Sequence, residues 1–233
     1  MKAIYEPKGK AREYCERAVN LYRGCAHGCS YCYAPGALRM QRSEFTLAKA
    51  RPGVLDAIRR EAPKHAGREV LLCFTTDPYQ GDHPVTRDAI KALHEGGCYV
   101  NVLTKAGTKC IADLDLYGPK DKLGVTLTFQ DPTDSVFWEP YAASPIDRMR
   151  ALQNAHARGI YTWASFEPVI DPHQSLLLMR ACIDFVDYFK IGKWNHDKRA
   201  NEIDWHGFVH DAIDIMESNH CEYMIKEDLK KYI

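Results

Sequence analysis

The chain has 233 residues, 45% hydrophobic and 27% charged, with 31 Lys and Arg against 31 Asp and Glu. That length and apolar share suit a soluble globular domain with a large buried core. The zero net charge lacks the basic excess of a dedicated polyanion-binding domain, and no apolar run is long enough for a membrane span.

The first 23 residues hold six Lys or Arg against three Glu, a run that reads most simply as solvated surface. Beyond it, strand and helix patterns alternate. Strands are expected over residues 18–23, 69–75, 98–104, 122–129, 160–166 and 186–192. Helices are expected over 54–61, 85–95, 109–117, 145–158, 174–183 and 203–218, with Pro84 and Pro145 at helix starts. The last helix shows its period through Trp205, Val209, Ala212, Ile213 and Met216. A short strand, 222–225, follows. Six β-α units in series predict parallel strands joined by right-handed crossovers. They are too few for an eight-unit barrel, so the expected α/β fold is a partial (β/α)6 TIM-like barrel, with a doubly wound open sheet as the alternative. One domain is expected over 1–233, with 1–17 as a lead-in and 193–233 as a closing helix and short strand.

Side chains alternate between the two faces of a strand. One face carries Cys73, Thr75 and Asp77; Asn101 and Lys105; Thr126 and Thr128; Ser165 and Glu167; Lys190 and Gly192. The other carries Val70, Leu72 and Phe74; Val100 and Val102; Val125 and Leu127; Ala164 and Phe166; Phe189 and Ile191. Helices cover the outside of such a sheet, so the polar face is expected to line a lumen that holds a polar ligand near the C-terminal strand ends.

The nine cysteines of the chain include one tight group. Cys25, Cys29 and Cys32 stand as C-x3-C-x2-C, with Tyr31 just before the last. Three thiolates on one loop can hold three irons of a [4Fe–4S] cube, and with no fourth cysteine at comparable spacing one iron stays open to a ligand. A Cys3His zinc site using His27 is the competing reading, although structural zinc ordinarily takes ligand pairs separated by a longer stretch. Cys15, Cys73, Cys98, Cys110, Cys182 and Cys221 form no C-x2-C pair and read as small buried hydrophobes. The odd count and absent secretory start favour a reducing, cytoplasmic setting.

The cysteine loop resembles that of radical S-adenosylmethionine (SAM) enzymes. Further pieces resemble the spore photoproduct lyase-like branch: 75–80 (Thr-Thr-Asp-Pro-Tyr-Gln), Thr104-Lys105, 124–128 (Gly-Val-Thr-Leu-Thr), Glu139-Pro140 and 144–148 (Ser-Pro-Ile-Asp-Arg), within a similarity over about residues 18–192. The resemblance implies a partial barrel, a [4Fe–4S] cluster on Cys25, Cys29 and Cys32, and reductive cleavage of SAM to methionine and a 5′-deoxyadenosyl radical. It also implies SAM-binding roles. Thr75, Thr76 and Asp77 are expected to meet the SAM ammonium, and Lys105 its carboxylate. Thr126 and Thr128 are expected at the ribose or methionyl part, Glu167 at the ribose hydroxyls, and Tyr31 and Gly192 beside the adenine.

Photoproduct lyases use a cysteine near the second strand's end as hydrogen donor. Cys73 stands on that strand one position away from the family pattern, and Tyr79 is a second radical-relay candidate. The resemblance further implies a one-electron donor such as flavodoxin or ferredoxin and a nucleobase or nucleotide substrate. Peptide modification and small-molecule rearrangement stay open, because the run 106–113 lacks the arginine commonly found before its aspartate and the C-terminal part is short. The alternative function is a non-catalytic iron–sulfur or zinc module that binds nucleic acid or a protein partner.

Overall fold

Apolar alternation and helical periodicity organise the chain as read, in a computed structural model that describes residues 2–81 and 84–233. A 3-10 turn, Gly9–Glu13, leads to β1 (Ala18–Val19) and β2 (Tyr22–Arg23). The one-turn helices α1 (Ala34–Ala37) and α2 (Arg42–Phe45) follow, and β3 (Lys49–Ala50) pairs antiparallel with β2. Then come α3 (Val54–Glu61), β4 (Glu69–Leu72), α4 (Pro84–Glu95) and β5 (Tyr99–Thr104). A 3-10 helix, Gly107–Leu116, precedes β6 (Lys122–Thr126), α5 (Pro132–Trp138) and α6 (Pro145–His156). The chain closes with β7 (Tyr161–Phe166), α7 (Pro172–Cys182), β8 (Tyr188–Ile191), α8 (Trp205–Ser218), β9 (Glu222–Ile225) and α9 (Glu227–Lys230).

Seven parallel strands form one sheet in the order β1-β4-β5-β6-β7-β8-β9. The short strand expected at the C-terminus is thus a full member of the sheet, with Tyr188 opposite Glu222 and Ile191 opposite Ile225. The architecture is the partial parallel barrel expected from the alternation. No described helix is long and apolar enough to cross a membrane.

The outer face of the sheet carries the apolar set. Val70, Leu72, Val100 and Val102 are fully buried against Val54 and Ile58 of α3 and Ile90 and Leu93 of α4. Val125, Leu127, Ala164, Phe166 and Phe189 are buried against Leu178 of α7 and Val209 and Met216 of α8. Each such Val, Leu or Phe side chain contributes about 1.5–3 kcal/mol on burial, which fixes strand register more strongly than local propensity does. The inner face carries the polar set, stacked around Trp163. Its indole Nε1 donates to Asn101 Oδ1 at 2.8 Å, and Asn101 Nδ2 donates to Glu69 Oε1 at 2.8 Å. Gly124 makes room for that indole, since a Cβ there would lie 2.2 Å from Trp163 Cε2.

Four expectations need correction. The strand expected over 18–23 is two strands in different sheets. Asn20 interrupts it, because its side-chain oxygen accepts the Phe74 and Thr75 N–H groups at 2.8 and 2.9 Å. The helix expected over 109–117 is a 3-10 helix, pinned where Thr108 N and Oγ1 donate to Asp147 at 3.0 and 2.9 Å. Helices α5, unforeseen, and α7, which starts two residues early, both begin at an Asp-Pro pair. Asp131 and Asp171 accept first-turn N–H groups while Pro132 and Pro172 start each helix. Finally, β4 ends at Leu72, and alternation ends with it. Cys73 joins the helix-side core and Phe74 packs on the inner side, the reverse of the expected faces.

Candidate active site at the C-terminal strand ends

The C-terminal ends of the strands open into a cavity of about 520 Å³, within the usual range for a small-molecule site. Cys25, Cys29 and Cys32 line one side. Their loop leaves β2 through Gly24, whose φ of +85° and 2.3 Å approach of a would-be Cβ to Phe45 O admit no side chain. The loop backbone is held throughout its length. Cys25 N donates to Phe45 O at 2.8 Å, and Thr76 Oγ1 donates to Gly24 O. Arg42 donates to Cys29 O and Cys32 O at 2.8 and 3.1 Å. Gln80 accepts from Ala26 N at 2.7 Å and aims its Nε2 at Cys25 Sγ, 3.3 Å away.

That amide donor suits a thiolate, since hydrogen bonds to sulfur are among the levers that tune cluster sites. Burial pushes the Cys25 thiol up to about 11. Burial also pushes Cys29 up to about 12, against the pull of the nearby Lys105. Among the described residues, no three His, Cys, Asp or Glu side chains converge as ligands of a single metal ion must. His27 is spoken for: its Nδ1 faces Tyr141 O at 3.2 Å, and its Nε2 lies 3.0 Å from Asp77 Oδ2. The Nε2 contact is an ion-pair approach without the alignment of a directed hydrogen bond. The donor set therefore fits a multi-iron cluster with one thiolate per iron better than a Cys3His zinc ion.

Asp77, expected at the SAM ammonium, lines the cavity, where its carboxylate is held by the protein's own groups. Its buried carboxylate accepts from Tyr79 N at 2.8 Å, Thr104 Oγ1 at 2.8 Å and Lys105 N at 2.7 Å, besides pairing with His27. Burial alone would raise its pKa, but His27 and these donors outweigh burial and hold it below the usual carboxylate range. Asp77 ties the cysteine loop to the ends of β4 and β5. Thr76 is likewise committed, through Gly24 O. Thr75 lines the cavity with its backbone N–H on Asn20.

Lys105 lines the cavity beside the cysteines, with Nζ 3.9 Å from Glu139 Oε1 and 5.7 Å from the centroid of the Tyr31 ring. Behind it lies a fully buried pair, Glu139 and Arg148. Glu139 also accepts from the Tyr31 hydroxyl and from Thr128 Oγ1, the latter at 3.2 Å. Tyr31 and Thr126 line the cavity, whereas Thr128 is buried behind it.

The opposite wall carries Glu167. Its Oε2 accepts from Tyr14 OH and Lys226 Nζ, each at 2.5 Å, while Oε1 accepts a longer contact from Asn195 Nδ2 at 3.4 Å. Gly192 backs this group rather than the cavity: a Cβ there would lie 2.8 Å from Glu167 Cδ. Cys73 touches the cavity wall, but it is buried and its sulfur accepts the Leu21 N–H at 3.3 Å. Burial pushes its thiol far up. Tyr79 lies in the helix-side core, away from the cavity, so its expected relay role has no access to a ligand there.

The sequence reading missed Asn20, Gln80, Arg42, Tyr14 and Lys226. Gln80 and the Glu139–Arg148 pair did lie inside motifs singled out above. Tyr14 and Lys226 carried no local signal, because strand pairing far along the chain brings them together.

A polar cavity at the C-terminal ends of a parallel partial barrel, with a cysteine triplet on one wall, lies where barrel folds carry their active sites. The radical SAM superfamily model matches residues 19–177, and the chain belongs to that superfamily. It is 25% identical to an uncharacterised protein of Methanocaldococcus jannaschii over 65% of this chain and 60% of that protein. It is 29% identical to one of Mycobacterium tuberculosis over 65% of this chain and 49% of that protein. The chain thus spans about half to three-fifths of these relatives' length. Its fold is similar to that of a spore photoproduct lyase, with TM-score 0.68, 16% identity and coverage of 89% of this chain and 63% of that one. It is also similar to SAM-bound SuiB of Streptococcus suis, with TM-score 0.65, 14% identity and coverage of 89% and 49%.

Proposed function

We propose that this enzyme holds a [4Fe–4S] cluster on Cys25, Cys29 and Cys32 and cleaves SAM reductively to start radical chemistry on a small substrate. The cluster would supply the electron that splits SAM into methionine and a 5′-deoxyadenosyl radical, which then abstracts a substrate hydrogen. The observation that carries this reading is that the three thiols and Lys105 face one cavity.

The chain's own residues take these parts. Lys105 offers its ammonium to the SAM carboxylate as a point charge. Thr75 and Thr126 present hydroxyls to the methionyl and ribose groups. Glu167, fixed on one oxygen by Tyr14 and Lys226, keeps Oε1 for a ribose hydroxyl. Tyr31, fixed through Glu139, forms the wall beside the cluster loop. The reductant is a one-electron donor of the flavodoxin or ferredoxin type. The photoproduct lyase-like motifs favour a nucleobase or nucleotide substrate.

Anaerobic reconstitution with iron and sulfide, reduction by dithionite and an assay for 5′-deoxyadenosine test the proposal. The parent is expected to be brown and to release 5′-deoxyadenosine. Ala at the three cysteines is expected to abolish both, and Lys105→Met to keep the cluster while weakening the SAM-induced change in its paramagnetic resonance spectrum. A colourless protein with one tightly held zinc would sink the reading.

A further inference from the structure

The family model ends at residues 19 and 177, yet part of the cavity wall lies outside that span. Lys8 and Lys10 come from the N-terminal segment, Lys193 follows β8, and Lys226 follows β9. The two ends of the chain are joined there. Lys10 Nζ donates to Asp228 Oδ2 at 2.9 Å and to Asn195 Oδ1 at 3.1 Å. Asn195 Nδ2 donates in turn to Asp228 Oδ2 at 2.7 Å and to Lys193 O at 3.0 Å.

Charge on this wall is compensated unevenly. Asp228 pairs with Lys10, and Glu167 and Glu13 pair with Lys226 at 2.5 and 3.4 Å. Lys193 donates to the Tyr232 hydroxyl at 2.8 Å and lies over the Trp205 and Tyr232 rings, about 5 Å from each centroid. Neither Lys193 nor Lys8 has a carboxylate partner among the described residues. Of the two described carboxylates lining the cavity, Asp77 faces His27 and Glu167 is paired with Lys226, so neither serves Lys193 or Lys8. Tyr33 and Trp194 give the same cavity aromatic surface. SAM does not account for the excess cation here, because its carboxylate is served by Lys105 on the cysteine side.

We propose that the substrate is a small molecule bearing an anionic group, a phosphate or a carboxylate, which Lys193 and Lys8 bind on the wall built from the two ends of the chain. The inference rests on the enzyme reading above. An ammonium is a compact point charge that suits either oxyanion, and the aromatic walls suit a planar scaffold behind it. The segments outside the shared core would then set substrate choice.

The test is calorimetric titration of the reconstituted, SAM-saturated enzyme with phenyl phosphate, benzoate and benzyl alcohol. The anions are expected to bind and the neutral alcohol not, and the tighter of the two anions assigns phosphate or carboxylate. Lys193→Gln and Lys8→Gln are each expected to weaken the preferred anion about tenfold, the scale of one charge-assisted hydrogen bond. Lys64→Gln, on an exposed site before β4, is the control and is expected to match the parent. Lys8 is exposed, so its substitution tests the idea without risk to the fold. Equal binding of benzyl alcohol, or anion affinity within about twofold of the parent in both variants, well short of a lost charged contact, would overturn the proposal. A parent that binds phenyl phosphate through Lys193 yet makes no 5′-deoxyadenosine would instead count against the enzyme reading.

Discussion

Asp77 shows how a residue expected to hold a ligand also braces the site. With His27, Thr104 Oγ1 and two backbone N–H groups on one buried carboxylate, its charge is cheap to keep and costly to strand. Asp77→Asn replaces an acceptor of three buried hydrogen bonds with an amide that cannot satisfy them all, and is expected to destabilise the fold by about 1–3 kcal/mol, the usual cost of leaving a buried donor unpaired. Urea unfolding of parent and variant measures this. The pH dependence has a defined sign. The Asp77 pKa is lowered in the fold from an ordinary 3.8. Its stabilisation is therefore fully present above that ordinary value and is lost as pH falls through the lower folded value. The acid limb of the stability curve should flatten in the variant, and an unchanged limb would show that Asp77 is not the group titrating.

Among the elements, α6 packs on the sheet through Ala151, Leu152 and Ala155 and is tied to it by the polar side chain of Arg148. Arg148 donates to Ala143 O at 2.8 Å, to Thr126 O at 3.0 Å and to Glu139, with 1% of its side chain exposed. The link ties the helix start to the end of β6 and, through Glu139, to Tyr31 in the cysteine loop. Arg148→Met leaves Glu139 buried without its main partner and is expected to cost about 3–5 kcal/mol. Glu139→Gln added to it should recover much of that loss, because the uncompensated charge is gone. A double-mutant cycle by chemical unfolding checks this, and additive losses would mean that the two groups do not act as a pair.

At the scale of the whole molecule, the lumen is plugged below the cavity by Lys190. Its Nζ donates to Glu13 O and Tyr14 O at 3.2 and 3.0 Å and lies 4.7 Å from the Trp163 ring centroid. Burial lowers its pKa from 10.5 to about 8. The folded state therefore releases this proton before the unfolded state does, and stability rises as pH climbs from the folded value to the unfolded one. The parent should gain about 1–3 kcal/mol relative to Lys190→Met between about pH 8 and pH 10.5. Unfolding titrations of both proteins across that range decide it, and parallel curves would refute the burial effect.

The sequence by itself determined the parallel partial barrel, the face each strand turns to its helices, and the cysteine loop. These are local or periodic properties: a run of Val and Ile at alternate positions, or thiols spaced three and two residues apart, reads the same in any context. Where local order ended, so did the reading. Cys73 changes face because β4 stops at Leu72, and the helix starts at 131 and 171 follow from Asp-Pro capping chemistry rather than from hydrophobic period. Only the tertiary structure decided which buried charge meets which. Asp77 reaches back to His27, Tyr31 meets Glu139 across 108 positions, and Glu167 meets Lys226 across 59. A carboxylate is drawn to any cation that chain closure brings within reach. Its partner is therefore set by the packing of apolar faces elsewhere, and no spacing in the sequence records it.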